Sequence, residues 1–381
     1  MKLRIHGTGT LAEIFGDAVV YRLLEPADPR IPGLTALRDR LGLEPAQLPR
    51  KSEPEYGRVV AEMLREGARV LAGFAAIDAL VVIGDTELND GGAFVNTSSA
   101  LGCPGAAFIC AETLDDERLD SEDLGAGRRL WRANRWNLVD TFMNELDRRG
   151  MTVGPGTAVL VDIDKTALGA RGRNHLPIDS ARVEAVLRTA RGRRGRELDE
   201  TGLLRAYERF NRPRFHPFTS DNQDYLAYIA LLVETGWIDT QTLEDRVGVG
   251  EISTFDGLLD SVSADRDRLP DGFRRIHDDV VRAAAAGDPT PFKTFRVAEY
   301  LQTVHRMRPS ERPGDIGELL ADRLTVTAEV WRAVRSWSAG GAFVLGLSDK
   351  PDEASTPCSD LAAAGYRPLH RTEALIVGEA W

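Results

Sequence analysis

Three stretches of this chain end an apolar run on a carboxylate or hydroxyl, and a lone lysine precedes a helix. The first stretch is Ala158-Val-Leu-Val-Asp-Ile-Asp-Lys-Thr166, in which Asp162 and Asp164 stand one residue apart. A short continuous run of β-branched and other apolar residues between glycine-rich turns reads as a buried strand of a parallel sheet. Ligands of open α/β sheets gather at the carboxyl ends of such strands. Two acids there repel each other unless a proton or a cation lies between them. The second stretch, Ala79-Leu-Val-Val-Ile-Gly-Asp85, runs on through Glu87 and Asn89 to Asp90. Side by side, the two strands would gather Asp85, Asp90, Asp162 and Asp164, an all-oxygen, negatively charged set of the kind that holds Mg2+. The third stretch, Gly341-Ala-Phe-Val-Leu-Gly-Leu-Ser348, ends on a hydroxyl two residues before Lys350. Lys51 sits just ahead of a helix over Gly57–Gly67, where Ser52 suits the N-cap and Pro54 the first turn. A lysine there opposes the helix dipole, so its position calls for another explanation.

These groups need a scaffold. Pro104–Cys110 reads as a further strand, and Ala374–Gly378 as the last one. Ala18–Leu24 is a shorter strand candidate, and Gly7–Thr10 reads as a turn. The spacing of Leu130, Trp131, Leu138, Val139, Phe142 and Leu146 predicts a helix over Gly127–Arg149, and Asp352–Ala364 predicts another. From 167 to 340 strand patterns give way to helical ones, near 179–191, 199–211, 222–235, 240–247, 272–286, 291–306 and 314–337. The pattern predicts an α/β protein with a Rossmann-like, mostly parallel sheet. Its core spans 1–166 and 341–381, and a large all-α domain is inserted over 167–340. Within the insertion, Arg212-Pro-Arg214-Phe-His216 offers two arginines and a histidine to an anionic substrate, or forms a rigid turn on its aromatics. The basic run Arg188–Arg196 reads as a solvated helix end.

Taken together, the motifs resemble those of the haloacid dehalogenase (HAD) superfamily of phosphohydrolases. Asp162, Asp164 and Thr166 match its first motif, Ser348 its second, Lys51 its third, and Gly84, Asp85 and Asp90 its fourth. The helical insertion corresponds to the family's cap domain. The order along this chain is third, fourth, first, second, a cyclic shift that a circular permutation would produce if the chain ends lie together. A domain-swapped homodimer would satisfy the same order. The resemblance implies Asp162 as nucleophile and Asp164 as general acid and base. It implies Mg2+ on Asp162, Asp164, Asp85 and Asp90, and phosphoryl contacts from Lys51, Ser348 and Thr166. Lys350 competes with Lys51 for the third-motif role, or else holds the loop of Ser348. The implied reaction is hydrolysis of a small phosphorylated metabolite through an aspartyl-phosphate.

Composition narrows the partners. The chain has 381 residues, a net charge of −11 and 43% hydrophobic residues. The negative charge argues against nucleic acid and anionic membrane as partners. No apolar run reaches the about 18 residues a membrane helix needs. Cys103, Cys110 and Cys358 lack metal-ligand spacing, which fits a reducing, cytoplasmic setting. Two other readings stay open: a phosphotransferase or mutase on the same fold, and a non-hydrolytic, metal-dependent nucleotide or sugar-nucleotide binding protein.

Overall fold

The structure is a computed structural model that describes residues 2–45, 47–192, 198–309 and 315–379. The chain forms two compact units, one of residues 1–179 with 303–381, the other of residues 180–302.

The first unit is built on ten strands: β1 (Leu3–Gly9), β2 (Val19–Val20), β3 (Ala79–Gly84), β4 (Gly105–Cys110), β5 (Leu119–Gly125), β6 (Arg128–Ala133), β7 (Thr157–Asp162), β8 (Val326–Thr327), β9 (Phe343–Leu347) and β10 (Ala374–Glu379). Seven of them make one sheet in the order β2-β9-β7-β3-β4-β6-β5, parallel except for the β5/β6 pair. The protein is therefore mixed α/β with a mostly parallel sheet. β7 and β4 are buried at every residue, as strands covered on both faces must be. β7 is central. Its Val161 lies opposite Ile83 of β3, and its Asp162 opposite Leu347 of β9. The three motif-bearing strands are thus neighbours in register, and their ends lie at one level.

Helix Pro54–Gly67 covers this sheet with Tyr56, Val59, Val60, Met63 and Leu64 buried. Two glycines set its seating. A side chain at Gly57 would put Cβ 2.4 Å from the Asn96 carbonyl carbon of helix Gly92–Leu101, and one at Gly67 would strike the Phe343 ring at 2.3 Å. Backbones that close leave Lys51 and Ser52 pinned against the start of helix Gly92–Leu101.

A second, three-stranded sheet has the order β1-β10-β8. Leu3 lies opposite Glu379 in its antiparallel β1/β10 pair, so the two ends of the chain lie side by side.

Several expectations are corrected. Gly7–Thr10 is not a free turn: residues 3–9 form β1, and Gly7 (φ 125°) absorbs a register shift beside Ile5. The strand at 18–24 shrinks to Val19–Val20. The helix expected over 127–149 splits into β6 and helix Val139–Arg148, because residues 119–133 form a hairpin turning on Gly125-Ala126-Gly127, all at positive φ. The helix at 352–364 is a single turn, Asp352–Ala354, followed by Ser359–Ala363.

Among the described residues the second unit is all helical, and it is narrower than the insertion expected over 167–340. Residues 303–340 belong to the first unit, where β8 joins β10 and helix Ala328–Ala339 buries Val330, Val334 and Trp337. The helical unit packs around Leu203, Phe210, Tyr228, Leu231, Phe273 and Phe295, and includes a helix, Phe255–Ala264, not foreseen in the sequence. Of the basic run, Arg188 and Arg191 end helix Leu176–Arg191, whereas 193–196 lie outside the described residues, as does 314, the first residue of the last helix expected in the insertion.

Candidate active site

β3, β7 and β9 deliver their last residues to one place. Asp85 follows β3, Asp162 closes β7, and Ser348 follows β9. The carboxylates of Asp85, Asp90 and Asp162 each bring an oxygen within 4.8 Å of the others, and all three residues are buried. Lys51 joins them. Its Nζ donates to Asp162 Oδ1 at 2.6 Å and to Asp90 Oδ1 at 2.8 Å, and the side chain is 4% exposed. The loops around the cluster are tied down. Asn96 Nδ2 donates to the Lys51 carbonyl at 3.3 Å. The half-buried Arg22 donates to the Pro49 carbonyl at 2.9 Å, while its backbone N–H donates to the Lys350 carbonyl at 3.2 Å, which links the loop of Lys51 to that of Ser348.

Asp90 shapes the loop after β3. Its Oδ2 accepts from the N–H groups of Asp85 and Thr86 and from the Thr86 hydroxyl, and its Oδ1 accepts from Lys51. These bonds use about all the acceptor positions a carboxylate has. Gly84 is required here, since a Cβ on it would lie 2.3 Å from Asp90 Cβ.

The loop after β7 is also held. The Asp162 carbonyl accepts from Ala167 N–H at 3.2 Å, and Lys165 adopts φ 69°, left-handed backbone rare for a side chain of its size. Lys165 Nζ pairs with Asp179 at 3.0 Å. Thr166 is fully buried, and among the described residues its Oγ1 and Asp162 Oδ2 are buried polar atoms that lack a hydrogen-bond partner. Asp164 is half-buried, and its carboxylate is not one of the three that cluster. Ser348 Oγ accepts from Lys350 N–H at 3.1 Å, so the Lys350 backbone orients the hydroxyl while Lys51 meets the acids.

The electrostatics follow from too many acids for the cations at hand. Burial pulls Lys51 down, but Asp162 and Asp90 outweigh it and hold the ammonium well above its usual value. Burial raises Asp90 too, yet Lys51 and the loop N–H groups bring it below the ordinary carboxylate range. Asp162 is pushed well up by burial, against Lys51, with Asp90 and Asp85 adding like-charge repulsion. Burial and Asp90 carry Asp85 up to about 7, against the opposing pull of Arg171.

Arg171 is the residue that sequence reasoning missed. Its Nε donates to Asp85 Oδ2, and its side chain is 34% exposed. The one sequence signal was its setting between Gly169 and Gly172, straight after the first-motif stretch. Arg212, Arg214 and His216 belong to the helical unit. There Arg214 pairs with Glu244 at 2.5 Å and covers the Phe215 ring, His216 lies 3.6 Å from Asp221, and Arg212 is exposed. These contacts match the rigid aromatic turn.

A cavity of about 630 Å3 lies at the opposite ends of the strands, beside Ala79, Gly105, Arg128 and Thr157, and none of the acids lines it. Among the described residues no helix is long and apolar enough to cross a membrane. Comparisons with models of known protein families, with curated proteins and with solved structures found no match to this chain.

Proposed function

We propose that this chain is a metal-dependent phosphatase with an HAD-like core, acting on a small phosphate monoester with Asp162 as nucleophile. One observation carries the reading. Asp162 is held through Oδ1 by the buried ammonium of Lys51, while its Oδ2 is buried and without a partner at the end of the central strand. A carboxylate fixed by one oxygen and bare on the other is arranged to attack.

The residues present fit a hard divalent cation, Mg2+ by preference. The donors are all oxygen, three carboxylates share the space with one ammonium and one guanidinium, and one carboxylate oxygen is orphaned. Asp162 and Asp85 would hold it, with Asp164 contributing from the adjoining loop. Asp90 supports the loop instead, since its oxygens are engaged by Lys51, Asp85 and Thr86. When bound, the cation supplies charge neutralisation for the phosphoryl group and its leaving oxygen.

The chain's own groups divide the rest of the work. Asp162 Oδ2 forms a bond to phosphorus as the bond from phosphorus to the leaving oxygen breaks. Asp164 gives that oxygen a proton. In the second half, Asp164 takes a proton from water, the water oxygen attacks phosphorus, and Asp162 leaves as the free carboxylate with inorganic phosphate released. Lys51 stays on Asp162 throughout and lowers the repulsion between that carboxylate and the incoming anion. Ser348 and Thr166 offer hydroxyls to the phosphoryl oxygens. The chain acts in the cytoplasm on a phosphorylated metabolite in this reading.

The test is release of phosphate from an aryl phosphate by the full chain, with and without Mg2+, for wild type and Asp162→Asn. Metal-dependent release by wild type and a loss of at least about 1,000-fold in the variant are expected. Turnover that survives the substitution would overturn the assignment of the nucleophile.

A further inference from the structure

We propose that Arg171 has two partners in the cycle: Asp85, with which it pairs in this structure, and the phosphoryl oxygens of the substrate once a metal ion takes the Asp85 carboxylate. This rests on the phosphatase reading and adds to it a phosphate-binding residue coupled to metal occupancy.

The backbone of Arg171 is immobilised. Its N–H donates to the Lys165 carbonyl at 2.7 Å, and its carbonyl accepts from Glu112 N–H at 3.0 Å and from the Trp136 indole at 3.2 Å. Gly172 (φ 83°) lies so close that a Cβ would sit 1.9 Å from the Glu112 carbonyl oxygen. Arg173 then locks the far side, pairing with Glu112 at 2.7 Å and Glu329 at 2.9 Å, all three side chains at most 5% exposed. The Arg171 side chain, by contrast, is one-third exposed and, among the described residues, forms its ion pair with Asp85. A rigid base with a partly solvated guanidinium permits a side-chain swing without loop movement.

Charge matching gives the swing its direction. Among the ion pairs that Asp85, Asp90 and Asp162 make, three carboxylates share two cations, Lys51 and Arg171. A divalent cation reverses that balance and competes with the guanidinium for the same Asp85 oxygens. The displaced guanidinium then needs an anion, and a phosphoryl group fits its planar fork better than it fits an ammonium. Lys51 is held by two buried carboxylates and cannot take this part. Metal and phosphate binding would then reinforce each other, and the coupling is reciprocal.

Calorimetric titration of the full chain with Mg2+, and with inorganic phosphate in the presence and absence of Mg2+, tests this in wild type, Arg171→Ala and Arg171→Lys. Arg171→Ala should bind Mg2+ about 3- to 10-fold more tightly, because its competitor is gone, and should bind phosphate in Mg2+ at least about tenfold more weakly. Wild type should bind phosphate more tightly with Mg2+ than without it, and Arg171→Ala should lose that gain. Arg171→Lys keeps a charge without the fork, so its Mg2+ affinity should stay near that of wild type while its phosphate affinity falls. Unchanged or weaker Mg2+ binding in Arg171→Ala, or phosphate binding equal to wild type, overturns the exchange. If wild type binds no Mg2+ and Asp162→Asn keeps its turnover, the phosphatase reading itself has failed. If wild type binds Mg2+ and Asp162→Asn loses its turnover, while the Arg171 variants bind Mg2+ and phosphate as wild type does, the exchange alone is wrong.

Discussion

Two of the regions in which the molecule buries charge settle it in opposite ways. In the helical unit, Asp224 and Glu299 face Arg296 and Arg182. Asp224 Oδ1 accepts from Phe292 N–H at 3.0 Å and its Oδ2 from Arg296 at 2.5 Å, while the Glu299 oxygens take Arg182 at 3.2 Å and Arg296 at 2.7 Å. Two acids meet two arginines, and all four carboxylate oxygens have donors. At the end of the sheet, three acids meet one lysine and one arginine, and Asp162 Oδ2 has none. Both clusters are polar and buried, so burial does not separate them. The difference lies in completeness. A saturated network serves the fold, whereas the network that leaves a buried carboxylate oxygen unmet is the one to which we assign the proposed metal ion and substrate.

Substitutions that remove one charge should have opposite signs in the two regions. Asp224→Ala leaves Arg296 half-paired in the interior and should cost about 3–5 kcal/mol in denaturant unfolding. A cost below about 1 kcal/mol would erase the distinction. Lys51→Ala removes the cation that holds Asp162, the nucleophile we propose, and turnover of an aryl phosphate should fall about 100-fold or more. Full turnover in Lys51→Ala, with a loss in Lys350→Ala, would transfer that role to Lys350. Asp162→Asn abolishes turnover in the proposed scheme, yet it relieves repulsion among the acids and should raise stability by about 1 kcal/mol, readable as a higher Tm. A lower Tm would mean the acid excess is not a source of strain.

Asp352 gives the smallest and most graded test. Burial, with Glu353 and Glu25 adding repulsion, lifts its carboxyl to about 6, although Leu23 N–H donates to it at 2.9 Å. The folded state therefore binds a proton more tightly than the unfolded chain, whose aspartates titrate near about 3.9. The cost of ionising it is absent below the unfolded value and complete above about 6, so stability from this group is lost as pH rises between the two. Asp352→Asn should raise Tm at pH 7 and lose that advantage by about pH 4. An advantage independent of pH would assign the effect to packing.

Much of this was legible in the chain because continuous apolar runs leave few alternatives. β3, β4, β7 and β9 are such runs, and the acids or hydroxyl after three of them meet because the strands are neighbours. The hairpin β5/β6 was not legible. β5 (Leu119–Gly125) is an edge strand with four exposed residues in a row, so it lacks an apolar signal, and Leu130 and Trp131 happen to extend the spacing of the following helix. β1 was hidden for the same reason, being half-exposed and interrupted at Gly7. The limits of the insertion were blurred because helix Ala328–Ala339 has the same pattern whether it covers a sheet or packs in a bundle. Lys51 could be picked out by its conflict with the helix dipole. Arg171 could not, because its partner comes from another strand and no local spacing encodes that meeting.

The order of strands has a consequence for how the protein is made. β9 is inserted between β2 and β7, both of which leave the ribosome long before it. At synthesis rates of about 5–20 residues per second, the wait from Asp162 to Phe343 lasts on the order of ten seconds or more. Throughout that time β7, the strand that carries Asp162, has one unpaired hydrophobic edge, and the two-residue β2 lacks the strand it pairs with. The helical unit is entirely local in sequence and can fold during the same interval. A nascent chain stalled before residue 343 should therefore present a folded helical unit beside an open sheet that attracts chaperones, and the site would be assembled only when the last strands arrive.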